Sequence, residues 1–329
     1  MTKAWKRNVD SEQSKAAREK RKAIRHAKAK LLGKEMWRHR ALYFFLLPGL
    51  FALILFEYGP MYGLVTAFQK VKFGRPYGMN EWVGLDNFKR LFNSPWFGTI
   101  LKNTVSVSLL STLLAWPVPL ALALLLHNST SPRLKKVSQM ATYLPYLLST
   151  VVVVSIINIF FAGDYGLINI LLKNMGLEKI RFFGDPDWVY PLFVGSSIWK
   201  NAGFNAVIYM GALSSVDEQQ MEAARIDGAT KLQSVWHIQM PAILPTVVTM
   251  FILNIGSIFS VGAEKMLLLQ TDLNLSTSEI ISTYVYKVGI MQTQYGFSAA
   301  VGMFQNVVNI TLLLIVNWIC KKKTGTSII

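Results

Sequence analysis

The stretch MEAARIDGATKLQSVWHIQMP, Met221 to Pro241, is polar, rich in small residues and closed by a proline, and it interrupts a chain whose flanking segments are apolar enough to sit in lipid. Asp217, with Gln220 three residues on, reads as an N-cap and its capping-box partner, which starts a helix over about 218–227. Gly228 stops that helix, because glycine enters the left-handed conformation at a helix C′ position without steric cost. Thr230 with Gln233 repeats the cap. A second short helix follows, with Leu232, Val235 and Trp236 at helical spacing and Met240 beyond, until Pro241 begins the next apolar run. The expectation is helix, tight turn, helix. Ala223 and Ala224 let a partner's surface approach closely, and Glu222 and Arg225 supply charges that fix its orientation, as in helix-in-groove recognition. On the residues alone, an amphipathic hairpin lying on lipid fits equally well.

Outward from this insert the chain reads as membrane protein. It is 52% hydrophobic over 329 residues and only 16% charged, where soluble domains carry about 25% charge. A span needs about 20 mainly apolar residues in helical form, so that every backbone polar group finds its partner within the segment. Six stretches qualify: 41–68, 103–127, 141–162, 190–213, 241–263 and 297–320. The fourth is the weakest, because Lys200, Asn201 and Asn205 lie inside it, but an alternating topology needs it. With a cytoplasmic N-terminus, the inside segments hold 22 Lys and Arg residues against 10 outside. Both termini and the 214–240 loop are therefore expected on the cytoplasmic side.

The net charge of +16 is concentrated at the start: residues 1–40 hold 14 cations against four acids. KAAREKRKAIRHAKAK is read as a basic cytoplasmic tail near anionic lipid. A nucleic-acid role would need a stacking platform beside it, and only Trp5 and Trp37 are there. The basic region is too long, and the apolar run after it exceeds the 7 to 15 residues typical of a signal-peptide core. The lone Cys320 excludes an internal disulfide. The C-terminal residues 321–329 form a second short cytoplasmic tail.

Ionisable groups inside spans cost about 2.5 to 3.5 kcal/mol on insertion scales, so they turn toward protein or water. Lys200 is the clearest example, with Asn201, Asn205 and Tyr209 on one helical face at i, i+4 and i+8. Asn254 with Ser257, and Gly302, Asn306 and Asn309, make similar strips in the fifth and sixth spans. Amides and aromatics together suit a sugar, and Lys200 on the path would suit an acidic one such as a uronate oligomer. The competing reading is hydrogen bonding between helices. LSTSEIISTYVYKVGI, from Leu275, opens with a Ser276–Glu279 capping box and places Ile281, Tyr284, Val285 and Val288 on one stripe, an external amphipathic helix. Glu57 in the first span is either a buried partner or close to the outer interface.

No enzyme is expected. His26, His39, His127 and His237 are scattered, and neither metal-ligand spacing nor a nucleophile–base pair is present. No G-x-x-x-x-G-K-[ST] phosphate loop occurs, so the chain has no ATPase of its own. A secondary transporter or channel for a small polar solute is the serious alternative, because proline- and glycine-interrupted spans with polar midplane residues also suit that class.

Glu222-Ala223-Ala224, three residues, Gly228, nine residues, Ile238, one residue, Met240 and Pro241 resembles the EAA signature of permease subunits in bacterial binding-protein-dependent ABC importers, of the maltose-permease-like superfamily. The IDGA of Ile226–Ala229 stands in its usual place, and the one departure is Met240 for leucine, a volume-conserving exchange. LLPGLFALILFEYGPMYGLVTAF and LNIGSIFSVGAEKMLLLQTDLNLSTSEIISTYVYKVGI resemble the oligosaccharide and polysaccharide branch, so the likeness covers about 41–320. It implies an all-α integral membrane fold, a type I ABC importer permease bundle of six transmembrane helices in the bacterial inner membrane. It also implies that Glu222, Ala223, Ala224, Asp227, Gly228 and Pro241 couple to a cytoplasmic ATPase. The implied partners are a second permease subunit, homologous or identical, two ABC ATPase subunits and an extracytoplasmic solute-binding protein. No cofactor or metal belongs to this chain, since ATP is used by the ATPase subunits.

Overall fold

Apart from a two-residue antiparallel pairing that sets Gln69 opposite Trp82 and Lys70 opposite Glu81, regular structure among the described residues is helical. The computed structural model describes residues 35, 37–72, 74–75, 79–260 and 262–328, and the expected basic tail lies almost wholly outside them. The chain divides between Gly63 and Leu64 into two units.

In the first unit, α1 (Arg40–Leu53) accommodates Pro48 and runs on through a wide i→i+5 turn at Ile54–Tyr58. None of its residues is buried, and Glu57 is exposed. Together with the turn that follows, Arg40–Phe68 is long and apolar enough to cross a bilayer, as the sequence predicts for 41–68.

The second unit contains α2 (Phe97–Ala115), α3 (Pro117–His127), α4 (Pro132–Tyr143), α5 (Thr150–Phe161), α6 (Val189–Leu213), α7 (Glu218–Ile226), α8 (Lys231–Ser234), α9 (Met240–Gly256), α10 (Ala263–Leu269), α11 (Ile281–Tyr286) and α12 (Tyr295–Thr324). Among the described residues, Phe97–His127, Lys231–Gly256 and Tyr295–Thr324 join Arg40–Phe68 as helices able to cross a membrane. At most 28% of the apolar window of any of the four is buried, so their remaining greasy surface requires lipid or another subunit.

The expected third span, 141–162, is not one straight helix. Pro132–Leu147 and Thr150–Phe161 meet at 104°, and the pair counts as a fifth span only if the bend is one crossing. The cause is local: Pro145 sits in a tight 3-10 turn, Leu148 is extended, and the Ser149 hydroxyl caps a new helix by accepting from Val152 N–H. The expected fourth span is α6, 25 residues long, but its polar residues keep it below the hydropathy of the others. It is instead the helix around which the rest pack. Val189, Leu192, Phe193 and Val194 join Val107 of α2, Val153, Val154 and Ile157 of α5 and Met266 of α10 in one core. Ala206, Tyr209 and Leu213 join Leu120 and Ala123 of α3 and Ile243 and Val247 of α9 in another. Gly203 lets α6 lie directly on the backbone of Thr142, because a Cβ there would collide with the Thr142 carbonyl.

The external amphipathic helix starts later than its sequence suggests. Leu275–Ser278 is a separate short helix, Glu279 is extended, and α11 begins at Ile281 with Ile280 N–H donating to Thr283 Oγ1 at 3.0 Å. Glu279 leaves the expected capping box to accept from Thr283 Oγ1 at 2.7 Å and to pair with Lys287 at 2.5 Å. The predicted stripe still turns inward: Ile281 and Val288 are buried with Leu91, Ile100, Phe297 and Val301, and Tyr284 and Val285 pack against them.

Candidate functional site

Two places in the second unit carry the residues singled out by the sequence. The first is the hairpin of α7 and α8. The Asp217 carboxylate accepts from Gln219 N–H at 2.9 Å, so it caps α7 without Gln220. At the far end Gly228 takes φ +80°. Gly228 N–H donates to Arg225 O at 3.1 Å and Ala229 N–H to Ala224 O at 2.9 Å, the paired bonds of a Schellman motif. Thr230 and Gln233 then close a reciprocal capping box, Thr230 N–H on Gln233 Oε1 at 2.7 Å and Gln233 N–H on Thr230 Oγ1 at 3.3 Å.

Pro241 is the second residue of α9, where the sequence starts the next span. Lys231–Gly256 is continuous, with a wide i→i+5 turn at Val235–Gln239 just before Met240, so that the missing N–H of Pro241 falls where the helical ladder is already opened. The hairpin is thereby an extension of α9 rather than a hinged loop. Its outer surface exposes Glu222, Ala223 and Asp227 beside Ile226, Leu232 and Trp236, apolar side chains 87%, 67% and 61% exposed. A shallow groove of about 320 Å³ beside it is lined by Ala224, Asp227, Gly228, His237 and Ile238.

Gln239 and Asn128, which the sequence did not single out, meet on the inner side of the hairpin. Their carboxamides exchange two hydrogen bonds, each 2.9 Å, and Gln239 is fully buried. Asn128 Nδ2 also donates to Leu124 O at 2.9 Å, at the end of α3.

The second place is a cavity of about 420 Å³ walled by α2, α5, α6, the end of α9 and α10. Four sequence-predicted residues line it: Lys200, Asn201, Asn254 and Ser257. Lys265, Glu264, Ser108, Ser111 and Thr112 line it too. Lys265 is buried, its Nζ donating to Phe193 O and to Ser197 Oγ, both at 2.7 Å, and standing 4.7 Å over the Phe193 ring. The hydroxyls of Ser108 and Ser111 are buried with no partner within the chain, which leaves two free donors on the wall. Asn201 and Asn254 bond the preceding helical turn, to Ser197 O at 2.9 Å and Met250 O at 2.8 Å, so each amide keeps its carbonyl oxygen for another donor.

The other four predicted residues lie elsewhere. Asn205 is half-buried on α6 away from the cavity wall, and Tyr209 is packed in the core among Leu120, Ala206, Leu213 and Ile243. Asn306 is exposed on α12. Asn309 fastens the turn after α9, accepting from Phe259 N–H at 3.0 Å and donating to Ser260 Oγ at 3.2 Å. Lys265 was missed because its partners stand about 70 residues away and nothing in its own segment announces them. The SxxST run from Ser108 to Thr112, by contrast, follows i, i+3, i+4 and was readable as a polar stripe on an otherwise apolar helix. Among the described residues no group of three His, Cys, Asp or Glu stands where a metal could be held.

Comparison with known proteins finds that residues 97–324 match the family model of the binding-protein-dependent transport system inner membrane component. Protein LplB of Bacillus subtilis is similar at 41% identity over 285 residues, 87% of this chain and 90% of that protein. The polygalacturonan/rhamnogalacturonan transport system permease protein YteP of the same organism is 40% identical over 295 residues, 90% of this chain and 92% of its own length. Among solved structures, a bacterial alginate ABC transporter in complex with an alginate pentasaccharide-bound periplasmic protein contains a chain that superposes with a TM-score of 0.82 at 34% identity, covering 90% of this chain and 99% of that one.

Proposed function

Because the chain belongs to the binding-protein-dependent transport system inner membrane components, ABC importer permeases rather than enzymes, we propose that it forms half of the path by which a carboxylate-bearing oligosaccharide enters a bacterial cell. The carrying observation is the 420 Å³ cavity, in which Lys200 stands among unpaired hydroxyls and amide oxygens, beside Lys265 held on Phe193 O and Ser197 Oγ and with Glu264 as the one acid. Cations neutralise uronate carboxylates, and the hydroxyls and amides serve the sugar's own hydroxyls. Relatives named for polygalacturonan and alginate support the same substrate class.

The second permease subunit supplies the facing wall. Two ATPase subunits dock on the cytoplasmic side against the α7–α8 hairpin, where Glu222, Ala223, Ala224, Asp227 and Gly228 meet them, and they consume the ATP. An extracytoplasmic binding protein delivers the sugar, and both termini face the cytoplasm. Pro241 belongs to the stiff junction that passes the hairpin's movement to α9.

Uptake in a Lys200→Met strain tests the substrate assignment. Charged oligosaccharides, such as oligogalacturonates, should lose about tenfold or more in rate, the discrimination a site gives up when one charged hydrogen-bonding group is removed. Neutral oligosaccharides should be little changed. Equal loss for both removes the acidic reading and leaves the importer assignment standing.

A further inference from the structure

Asn128 and Gln239 stand 111 positions apart and belong to different walls of the protein. Gln239 occupies the free position of the signature, between Ile238 and Met240, so no family pattern demands an amide there. Yet its side chain is wholly buried and saturated: two hydrogen bonds to Asn128, and its Nε2 3.9 Å from Met221 Sδ on α7. Opening the pair would strand a buried carboxamide, so the two ends are held together against displacement.

Three elements therefore meet at one side chain. Gln239 closes the wide turn that leads into α9, Met221 lies on α7, and Asn128 ends the Phe97–His127 span. The same span lines the cavity at its other half, through Ser108, Ser111 and Thr112. Building on the permease reading, we propose that the Asn128–Gln239 pair is a positioning device that hands the hairpin's displacement to the Phe97–His127 span. A push on the hairpin then moves two cavity walls together, α9 by chain continuity and α2–α3 through the amide pair.

The test uses the complete transporter in proteoliposomes, in a Cys320→Ser background with spin labels at Leu125→Cys and Ile226→Cys, both on exposed positions. The distance between them should be the same in the nucleotide-free and the ATP–vanadate-trapped states of the otherwise native protein. In Gln239→Leu and Asn128→Leu it should differ between those states, and labelled trigalacturonate moved per ATP hydrolysed should fall by about tenfold, within the range of interaction energies between contacting residues. The exchanged double variant Asn128→Gln, Gln239→Asn should restore both readouts. A native distance that changes on trapping overturns the proposal, as do single variants with native transport per ATP, or an exchanged pair that restores neither. Should Gln239→Leu fail to assemble, Asn128→Leu and the native distance still decide. Absence of any ATPase from the purified complex would instead overturn the permease reading, and native protein that ignores trigalacturonate would touch only the choice of sugar.

Discussion

Gly228 shows how far a single residue's chemistry could be read ahead of the structure. A glycine after a capped helical stretch predicts a left-handed stop, and φ +80° with both Schellman bonds is what the chain adopts. Nothing crowds the position, since a Cβ there would meet no atom within 4 Å, so the demand is one of backbone conformation alone. Gly228→Ala should thus cost about 1–2 kcal/mol of hairpin stability, the left-handed penalty for an L-residue, and Gly228→Asn much less. Gly228→Pro cannot reach that φ and loses the N–H bonded to Arg225, so transport should vanish while membrane insertion, followed by fractionation, stays normal. The residues that were illegible share one property: their partners are remote. Lys265 on Phe193 and Ser197, and Asn103 donating to Ser276 and Glu279 carbonyls, are set by tertiary packing, which leaves no trace in local periodicity. Asn205 and Tyr209 differ in the opposite sense. Sharing a helical face with Asn201 placed them in one row, but α6 is enclosed on several sides and the row runs from the cavity into the core.

At the scale of elements, four of the six long apolar runs coincide with helices able to cross a membrane, 40–68, 97–127, 231–256 and 295–324, whereas the breaks between and within runs were read less well. The sequence started a span at Pro241, and α9 does start at Met240, but joined to α8 through the wide turn that the sequence did not foretell. It placed a straight span over 141–162, and the structure bends there by 104°. In both, proline's effect depends on whether the neighbouring backbone has already given up its hydrogen bond. At Pro241 the wide turn has done so, and at Pro145 the turn tightens and Ser149 recaps the chain. Of the three expected capping boxes the Thr230–Gln233 box formed, Asp217 caps α7 without Gln220, and Glu279 leaves Ser276 for Thr283 and Lys287. Thr230→Ala should therefore weaken α8 by about 1 kcal/mol, the usual value of an N-cap side chain, and raise protease cleavage between Gly228 and Lys231 without altering the helical content of the spans.

For the whole molecule, the inside-out distribution of apolar side chains was the clearest message of the sequence and the least detailed. It announced a multi-pass membrane protein, but not which greasy faces meet lipid and which meet another chain. Purification in mild detergent should recover a related permease and a Walker-type ATPase with this chain. A Glu222→Cys variant should react with a membrane-impermeant maleimide only in inverted vesicles. Labelling in right-side-out cells instead would place the hairpin outside and remove its partner. The junction between hairpin and α9 sets a further constraint on the gene. Each residue of a helix advances the azimuth by about 100°, and the wide turn at Val235–Gln239 absorbs one surplus step. Losing or gaining a single codon between Thr230 and Pro241 would turn the hairpin by about 100° relative to Asn254 and Ser257 on the cavity wall, so that the length of this junction, quite apart from its composition, acts as a phase setting.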